Sequence, residues 1–278
     1  MKKKIILILL LVLFITGCNV TTNSVENIII YTSTYPIEYI TEKLYSNHAR
    51  IFSIYPNEII ELSDALLEDY SKSNMFVYNG LSNEKNYAVK MLNKNKKLMI
   101  IDAAMGMNYN NKLEELWINP SNFLMLAQNI RSGFKEYVKA SYLLNEIDEN
   151  YEKLKLEISE LDADIKIMAE NAEHKHLLVS SNSFKFFEKY GLTVTSLDID
   201  DELLDKRKAD ALELIKNNKI SYILIFKGEN LNKDIESFVK NNKIEKIEFD
   251  GLTTKNEDMD YIETMNKNIE KLKKELYN

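Results

Sequence analysis

The longest regular pattern in this chain is an apolar stripe near its middle, and it limits the folds that the chain can adopt. Apolar residues follow one another at steps of three and four, with no glycine or proline between them: Leu144, Ile147, Tyr151, Leu154, Ile158, Leu161, Ile165 and Met168. This spacing predicts one long amphipathic helix over about 144–172. At 1.5 Å per residue such a helix is roughly 40 Å long, enough to extend along two small domains. A coiled-coil dimer would show the same stripe.

Short runs rich in β-branched and aromatic residues lie on both sides of this stripe and alternate with helical stretches. Eight of them are predicted strands, four before the stripe and four after it: 28–32, 51–55, 75–79, 98–102, 177–180, 193–197, 222–226 and 244–249. Strands that alternate with helices form parallel sheets covered on both faces. We therefore predict an α/β protein with two lobes, each with a four-stranded parallel sheet flanked by helices, joined by one long rigid helix, with a cleft between the lobes. The need to join two such lobes favours this helix over a coiled-coil dimer.

The first eighteen residues have the pattern of a secretory signal that ends in a lipidation site. A basic head is followed by an uninterrupted apolar run at 5–15, and Ile-Thr-Gly-Cys follows at 15–18. Eleven apolar residues are too few to span a bilayer, which needs about twenty, but they suit a signal peptide. The end of the run resembles a bacterial lipobox, so Cys18, the only cysteine, is the predicted lipid anchor. The alternative is a reduced core cysteine after an ordinary signal peptide.

A chain of 278 residues exceeds the usual size of one domain, about 100 to 200 residues, so one large domain or two medium-sized domains are expected. The predicted divisions are a signal peptide at 1–17, a tether at 18–26, an N-terminal lobe at 27–143, the linking helix at 144–172 and a C-terminal lobe at 173–278. The mature protein would have no disulfide, and we expect a monomer on the extracytoplasmic face of the cell membrane.

Charge and motifs disfavour two classes of function. The 43 acidic residues outnumber the 36 basic ones, and removal of residues 1–17 would also remove three lysines. The protein is therefore negatively charged, which disfavours a nucleic-acid partner. The sequence has no glycine-rich phosphate loop, no G-x-S-x-G motif and no Cys-His or Ser-His arrangement near the predicted cleft. Paired acids alone would be a weak basis for a glycosidase, so we predict that the protein is not an enzyme.

Polar residues follow several of the predicted strands, where ligands of open parallel sheets bind. Two acids also directly precede the only tryptophan, Trp117. The residues that this placement selects are Glu58, Ser181, Lys227 and Asp250 after strands, and Glu114 and Glu115 before the tryptophan.

Four segments carry a resemblance to a known family: IIIYTSTYPIEYITEKL near the start, YSKSNMFVYNGLSNE, WINPSN at 117–122 and IEFDGLT near the end. With the lipobox, their order and spacing are similar to the zinc and manganese substrate-binding lipoproteins of bacterial ABC importers, over about 27–276. The resemblance implies two lobes joined by a rigid helix, a divalent metal ion of the zinc or manganese class as the transported ligand, and an ABC permease as the partner.

The resemblance also implies a metal site, but the residues at its positions are unusual. Members of the family bind metal through three histidines and a closing acid, and those positions fall on Glu58, Glu115, Ser181 and Asp250. Glu61 matches an acid that often accompanies the first histidine. Every histidine of the pattern is therefore missing. The three histidines present, His48, His174 and His176, precede strands and are expected at the surface.

Three interpretations of these residues stay open. An oxygen-rich site would suit a hard divalent cation, because converging carboxylates repel one another unless a cation or protons lie among them. Lys227 instead stands where the family often has an acid, and it could neutralise the carboxylates in place of a metal. The protein would then bind another small ligand or act as a surface interaction or adhesion lipoprotein. Finally, Glu58 and Glu115 could be ordinary solvated acids.

Overall fold

The computed structural model describes residues 28–55, 59–109, 112–200 and 202–277. The N-terminal lobe contains, in chain order, β1 (Ile29–Thr32), α1 (Tyr35–Tyr45), β2 (Arg50–Ser53), α2 (Asp64–Tyr70), β3 (Met75–Tyr78), α3 (Glu84–Lys94), β4 (Met99–Asp102), α4 (Glu115–Ile118) and α5 (Pro120–Tyr137). The long helix α6 (Ser141–Asn171) follows it. The C-terminal lobe contains β5 (His176–Val179), a 3₁₀ helix (Asn182–Tyr190), β6 (Thr193–Ser196), α7 (Leu204–Lys216), β7 (Tyr222–Phe226), α8 (Lys233–Asn241), β8 (Glu245–Phe249) and α9 (Tyr261–Leu276).

The two lobes repeat one sheet topology. The strand order is β2-β1-β3-β4 in the first sheet and β6-β5-β7-β8 in the second, and every pairing is parallel. Each of the eight predicted strands is present, with ends that differ from the prediction by at most two residues. The predicted fold class, two four-stranded parallel sheets on either side of one long helix, is confirmed.

The inner strands β3, β5 and β7 are buried on both faces, which explains their nearly continuous apolar sequences. In β3, Met75 and Val77 belong to a large core shared by the lobes, whereas Phe76 and Tyr78 belong to a smaller core on the other face. In β5, Leu178 faces the corresponding outer core of the C-terminal lobe. Successive strand residues point to opposite faces, so an inner strand needs apolar residues at nearly every position, whereas the edge strands β2 and β8 have exposed polar residues.

Helix α6 packs along both lobes, and its apolar side chains belong to the core that the lobes share. It has 31 residues, about 46 Å at 1.5 Å per residue, and begins three residues before the predicted start. Its stripe from Ile147 to Met168 is buried within the same chain, against α1, α5 and α9. The stripe is therefore already covered, and the coiled-coil alternative is wrong.

Two sequence predictions fall outside the described residues. The signal peptide, the tether and Cys18 belong to 1–27, and Glu58 belongs to the gap at 56–58. Within the described ranges, none of the helices is both long and apolar enough to cross a membrane.

Candidate functional site

The cleft between the lobes is built where the loop after β4 meets the loop after β8. The indole Nε1 of Trp117, in α4, donates a hydrogen bond of 2.8 Å to the carbonyl oxygen of Gly251. The hydroxyl of Tyr261, at the start of α9, donates to the carbonyl oxygen of Trp117. These bonds bring the segment that begins at Glu115 against the segment that contains Asp250.

Asp250 is held firmly by its neighbours on the C-terminal side. Its Oδ1 accepts from the backbone N–H of Leu252 at 3.0 Å, and its own N–H and carbonyl pair with the side-chain amide of Asn268 at 2.9 and 3.0 Å. Its other carboxylate oxygen, Oδ2, is 3.3 Å from the ammonium group of Lys227. The lysine side chain is 58% exposed and the aspartate side chain 25% exposed, so this ion pair lies at the solvent edge of the cleft.

Glu115 is the first residue of the four-residue helix α4 and is half-buried. Its backbone N–H donates to Lys112 at 3.1 Å, and its carbonyl accepts from the side-chain amide of Asn122, also at 3.1 Å. The local backbone is thus fixed, and the side chain starts from a rigid position beside Trp117. Its predicted companion Glu58 lies outside the described residues.

Ser181 is completely buried at the end of β5. Its hydroxyl oxygen accepts from the N–H of Ser183 at 3.2 Å and caps the following 3₁₀ helix. A serine at this position therefore has a structural task, which is the preferred role of serine at the start of helical segments.

Within the described residues, no three histidine, cysteine or acidic side chains lie close enough together to hold a metal ion. Two of the sequence-predicted residues, Asp250 and Lys227, are in direct contact. Asp250 and Glu115 lie on segments that contact each other through Trp117. The Ser181 hydroxyl oxygen already accepts the hydrogen bond that caps the 3₁₀ helix.

Several acids at the strand ends were not selected by sequence analysis, and they fix loops. Asp102, which ends β4, accepts from the N–H groups of Gly80 and Ala104, both at 2.9 Å. Glu229 accepts from the hydroxyl of Ser180 at 2.6 Å. Glu229 follows β7 two positions after Lys227, so an acid does follow this strand, as the family pattern would have suggested.

Gly80 shows how tightly the Asp102 loop is packed. A Cβ atom at Gly80 would lie 2.0 Å from Oδ2 of Asp102, so only glycine fits there. Asp198, after β6, has a similar role, because it accepts from the N–H of Asn182 at 2.9 Å and lies 3.8 Å from the ammonium of Lys112.

Two of the cavities along the cleft are lined by described residues near Trp117 and Asp250. The smaller, about 550 Å³, contains Lys227 and Asp250 together with Lys112, Glu114 and Glu229. The larger, about 960 Å³, lies beside the ends of β1, β2 and β3 and is closed on one side by Thr253 of the C-terminal lobe.

One buried carboxyl in the larger cavity has a shifted pKa. Glu84 is 4% exposed, and burial raises the pKa of its carboxyl above the usual 4.5, while a hydrogen bond with the Tyr55 hydroxyl lowers it in part. Both residues escaped sequence analysis, because an acid in the first turn of a helix is ordinarily a solvated capping residue.

The histidines lie away from this cleft. His48 Nε2 is 2.7 Å from Glu146 Oε2, at the start of α6. His176 opens β5 and His174 precedes it, so both are at the amino end of a strand whose carboxyl end faces the cleft. Burial, then Lys219 and His174, lower the pKa of His176.

Comparison with known proteins decides the family. The family model described as ZnuA, the periplasmic component A of a zinc-uptake complex, matches residues 30–275. The chain belongs to the ZnuA family. The match includes Glu115, Ser181, Lys227 and Asp250, and residues 1–29 lie outside it. No curated protein sequence matches the chain.

Solved structures with the ZnuA-like fold superpose along most of the chain. The metal-dependent lipoprotein YcdH from Bacillus subtilis has a TM-score of 0.71 at 16% identity, over 90% of this chain and 100% of that one. The Zn(II)-bound ZnuA-like domain of Streptococcus pneumoniae AdcA has a TM-score of 0.68 at 22% identity, over 91% and 100%. AdcAII of the same organism has a TM-score of 0.73 at 19% identity, over 90% and 99%. At these identities the likeness establishes the fold.

Proposed function

We propose that this ZnuA-family protein is the extracytoplasmic solute-binding lipoprotein of a metal-ion ABC importer. It captures a divalent cation between its lobes and delivers it to a permease, without catalysing a reaction. Its metal ligands are Glu58, Glu115 and Asp250. Ser181 stands at the remaining one of the four positions where the family binds metal. One of the structures named above, the ZnuA-like domain of AdcA, is Zn(II)-bound, which favours zinc as the cargo.

The observation that carries this proposal is the contact between α4 and the loop after β8. The 2.8 Å bond from Trp117 to Gly251 holds Glu115 and Asp250 on two adjoining segments from different lobes. A cation between the lobes would then be reached by carboxylates from both sides. Zinc accepts carboxylate oxygens as well as its commoner nitrogen and sulfur ligands, and manganese prefers oxygen.

In this proposal, the Lys227 ammonium balances the charge of the Asp250 carboxylate when no metal ion is bound. Its ammonium lies 3.3 Å from Asp250 and is mostly exposed. Exposed ion pairs stabilise a protein by about 0 to 1 kcal/mol. An arriving divalent cation can therefore displace Lys227 from Asp250 at small cost, and the lysine would return when the cation leaves.

The test is calorimetric titration of the full-length protein in detergent, stripped of metal with chelator, with Zn²⁺, Mn²⁺ and Ca²⁺. The expected result is one tight site that is lost in Glu115→Ala and in Asp250→Ala. Glu245→Gln is the matched control, because Glu245 is exposed at the amino end of β8, away from the cleft. Absence of a tight site for all three ions would contradict metal capture.

A second candidate function rests on the described geometry of the same residues. No cluster of three potential ligands exists among the described residues, and Asp250 is already neutralised by Lys227. The protein would then have lost metal binding, and would bind another small ligand or act as a surface interaction or adhesion lipoprotein. Absence of any tight metal site, with membrane attachment retained, would favour this candidate.

A further inference from the structure

The larger cavity, of about 960 Å³, adjoins the cavity around Asp250 and shares the wall residues Glu114 and Thr253 with it. It lies at the carboxyl edge of the N-terminal sheet and reaches across to Thr253. Its volume is at the upper end of the range for small-molecule sites, about 300 to 1,000 Å³.

The charges in its wall favour a cationic ligand. Three carboxylates line the cavity, from Glu61, Glu84 and Glu114. Among the described wall residues there is one basic side chain, Lys90, and its ammonium is 3.0 Å from a carboxylate oxygen of Asp64, outside the cavity. The wall thus carries an excess of negative charge, which attracts cations.

Two buried polar atoms in this wall lack a partner, which is an independent sign of a ligand. Thr34 is 2% exposed and Glu84 is 4% exposed. Neither Thr34 Oγ1 nor Glu84 Oε2 has a hydrogen-bond partner in the described part of the chain, although the Tyr55 hydroxyl hydrogen-bonds the Glu84 carboxyl. Buried polar groups without partners are unfavourable and uncommon, and a donor from a ligand would satisfy each of these atoms that it reaches.

The arrangement of the carboxylates excludes a simple metal site among the described residues. The three acids line one cavity, yet no three acidic side chains in the described ranges converge on a single point. Carboxylates that line one cavity without all converging suit a ligand with more than one positive group.

The rest of the wall suits the body of such a ligand. Ile59, Ile60 and Val89 line the cavity and are 48 to 53% exposed, so they offer apolar contact to methylene groups. Tyr87 and Trp117 also line it. Aromatic rings attract ammonium groups through the negative face of the ring.

We propose that this cavity binds an aliphatic organic cation with two or more separated ammonium groups. One ammonium donates to Glu84 and Thr34 at the deep end, and a second is paired by Glu61, which is exposed nearer the mouth. Ile59 and Ile60 contact the methylene chain between them. This inference concerns a second ligand and does not depend on metal capture by Asp250.

The test is calorimetric titration of the full-length protein in detergent with 1,4-diaminobutane and with the neutral 1,4-butanediol. We expect the diamine to bind at least about tenfold more tightly than the diol, because charge-assisted hydrogen bonds are lost in the diol. Glu84→Gln and Thr34→Val should each weaken diamine binding by about tenfold, whereas the exposed Glu245→Gln should not change it.

Glu61→Gln keeps the test independent of folding, because Glu61 is exposed and its substitution leaves the core intact. It should weaken binding of the diamine and leave that of 1-aminobutane unchanged. Equal binding of diamine and diol, unchanged binding in the three cavity variants, or no diamine binding would each overturn the proposal. Zn²⁺ titration of the same preparations distinguishes the two proposals. If the protein binds the diamine but not Zn²⁺, only the proposed metal capture is contradicted. If it binds Zn²⁺ but not the diamine, only this inference is contradicted.

Discussion

Trp117 Nε1 donates a 2.8 Å hydrogen bond to the carbonyl oxygen of Gly251, and this bond joins the two lobes at the cleft itself. Trp117 is 2% exposed, and its own carbonyl accepts from the hydroxyl of Tyr261. The short helix α4 is therefore tied to two elements of the C-terminal lobe. Glu115 and Asp250 should move together, and any closure of the cleft should be small.

Substitution of Trp117 by phenylalanine should loosen this junction. We expect a loss of about 1 to 3 kcal/mol in the free energy of unfolding, because the variant removes a hydrogen bond and leaves unfilled volume. Hydrogen exchange at the amide of Leu252, which donates to Asp250, should become faster. Tyr142→Phe is the matched control, since Tyr142 is 56% exposed. Unchanged stability and exchange in Trp117→Phe would show that the bond does not hold the lobes.

The continuous core along α6 predicts that the lobes unfold together. Ile158→Ala creates a cavity at a fully buried position, and we expect it to cost about 2 to 5 kcal/mol. Leu156→Ala, on the same helix but 61% exposed, should change stability by about 0.5 kcal/mol or less. Circular dichroism and the fluorescence of Trp117 should report one coincident transition in both variants. Two separate transitions in Ile158→Ala would mean that each lobe is stable without the other.

The sequence predicted the fold well because the fold depends on periodic burial. Steps of three and four located α6, and strands buried on both faces located the two sheets, since both patterns are local in the chain. The start of α6 was missed by three residues, because the prediction began the stripe at Leu144, whereas the buried residue of the first turn is Leu143.

The site was predicted less well, because it depends on contacts between residues far apart in the chain. Glu229 accepts from Ser180, 49 residues away, and Trp117 donates to Gly251, 134 residues away. Glu84 is a first-turn acid in sequence, and only the packing of Tyr55 around it makes it a buried wall residue. Position relative to strand ends selected Asp250 and Lys227, and the structure places the Lys227 ammonium 3.3 Å from the Asp250 carboxylate.

Removal of the Lys227 ammonium should strengthen metal capture. In Lys227→Ala, Asp250 no longer has a competing cation, so Zn²⁺ affinity should rise by about three- to fivefold, in keeping with an exposed ion pair of up to about 1 kcal/mol. Lys246→Ala is the control, because Lys246 pairs with Glu236 on another part of the lobe. Weaker Zn²⁺ binding in Lys227→Ala, measured by calorimetry, would mean that the lysine supports the bound state.

Substitution of Cys18 should release the protein from membranes. Without the cysteine no acyl chains can be attached at the predicted lipobox, and stable anchoring needs two membrane signals or more. Fractionation of cells that express Cys18→Ala should place the protein in the soluble fraction, and Ser24→Ala in the same tether should stay with the membranes. Continued membrane association of Cys18→Ala would contradict the lipoprotein prediction.

The buried carboxyl of Glu84 predicts a specific dependence of stability on pH. Burial raises its pKa above 4.5 in the folded state, so the folded protein holds this proton more tightly than the unfolded chain does. The stabilising contribution is complete below about pH 4.5 and is lost as the pH rises through the raised pKa. In Glu84→Gln this loss is absent, because glutamine does not ionise.

The unfolding temperature of the wild type should therefore fall relative to that of Glu84→Gln as the pH rises from 4 toward 8, with other carboxyls acting equally in both proteins. Glu245→Gln is the control, because Glu245 is exposed. Its plot of unfolding temperature against pH should run parallel to that of the wild type. Parallel curves for the wild type and Glu84→Gln would mean that Glu84 is already ionised at acidic pH, and that the cavity wall is better hydrated than its burial indicates.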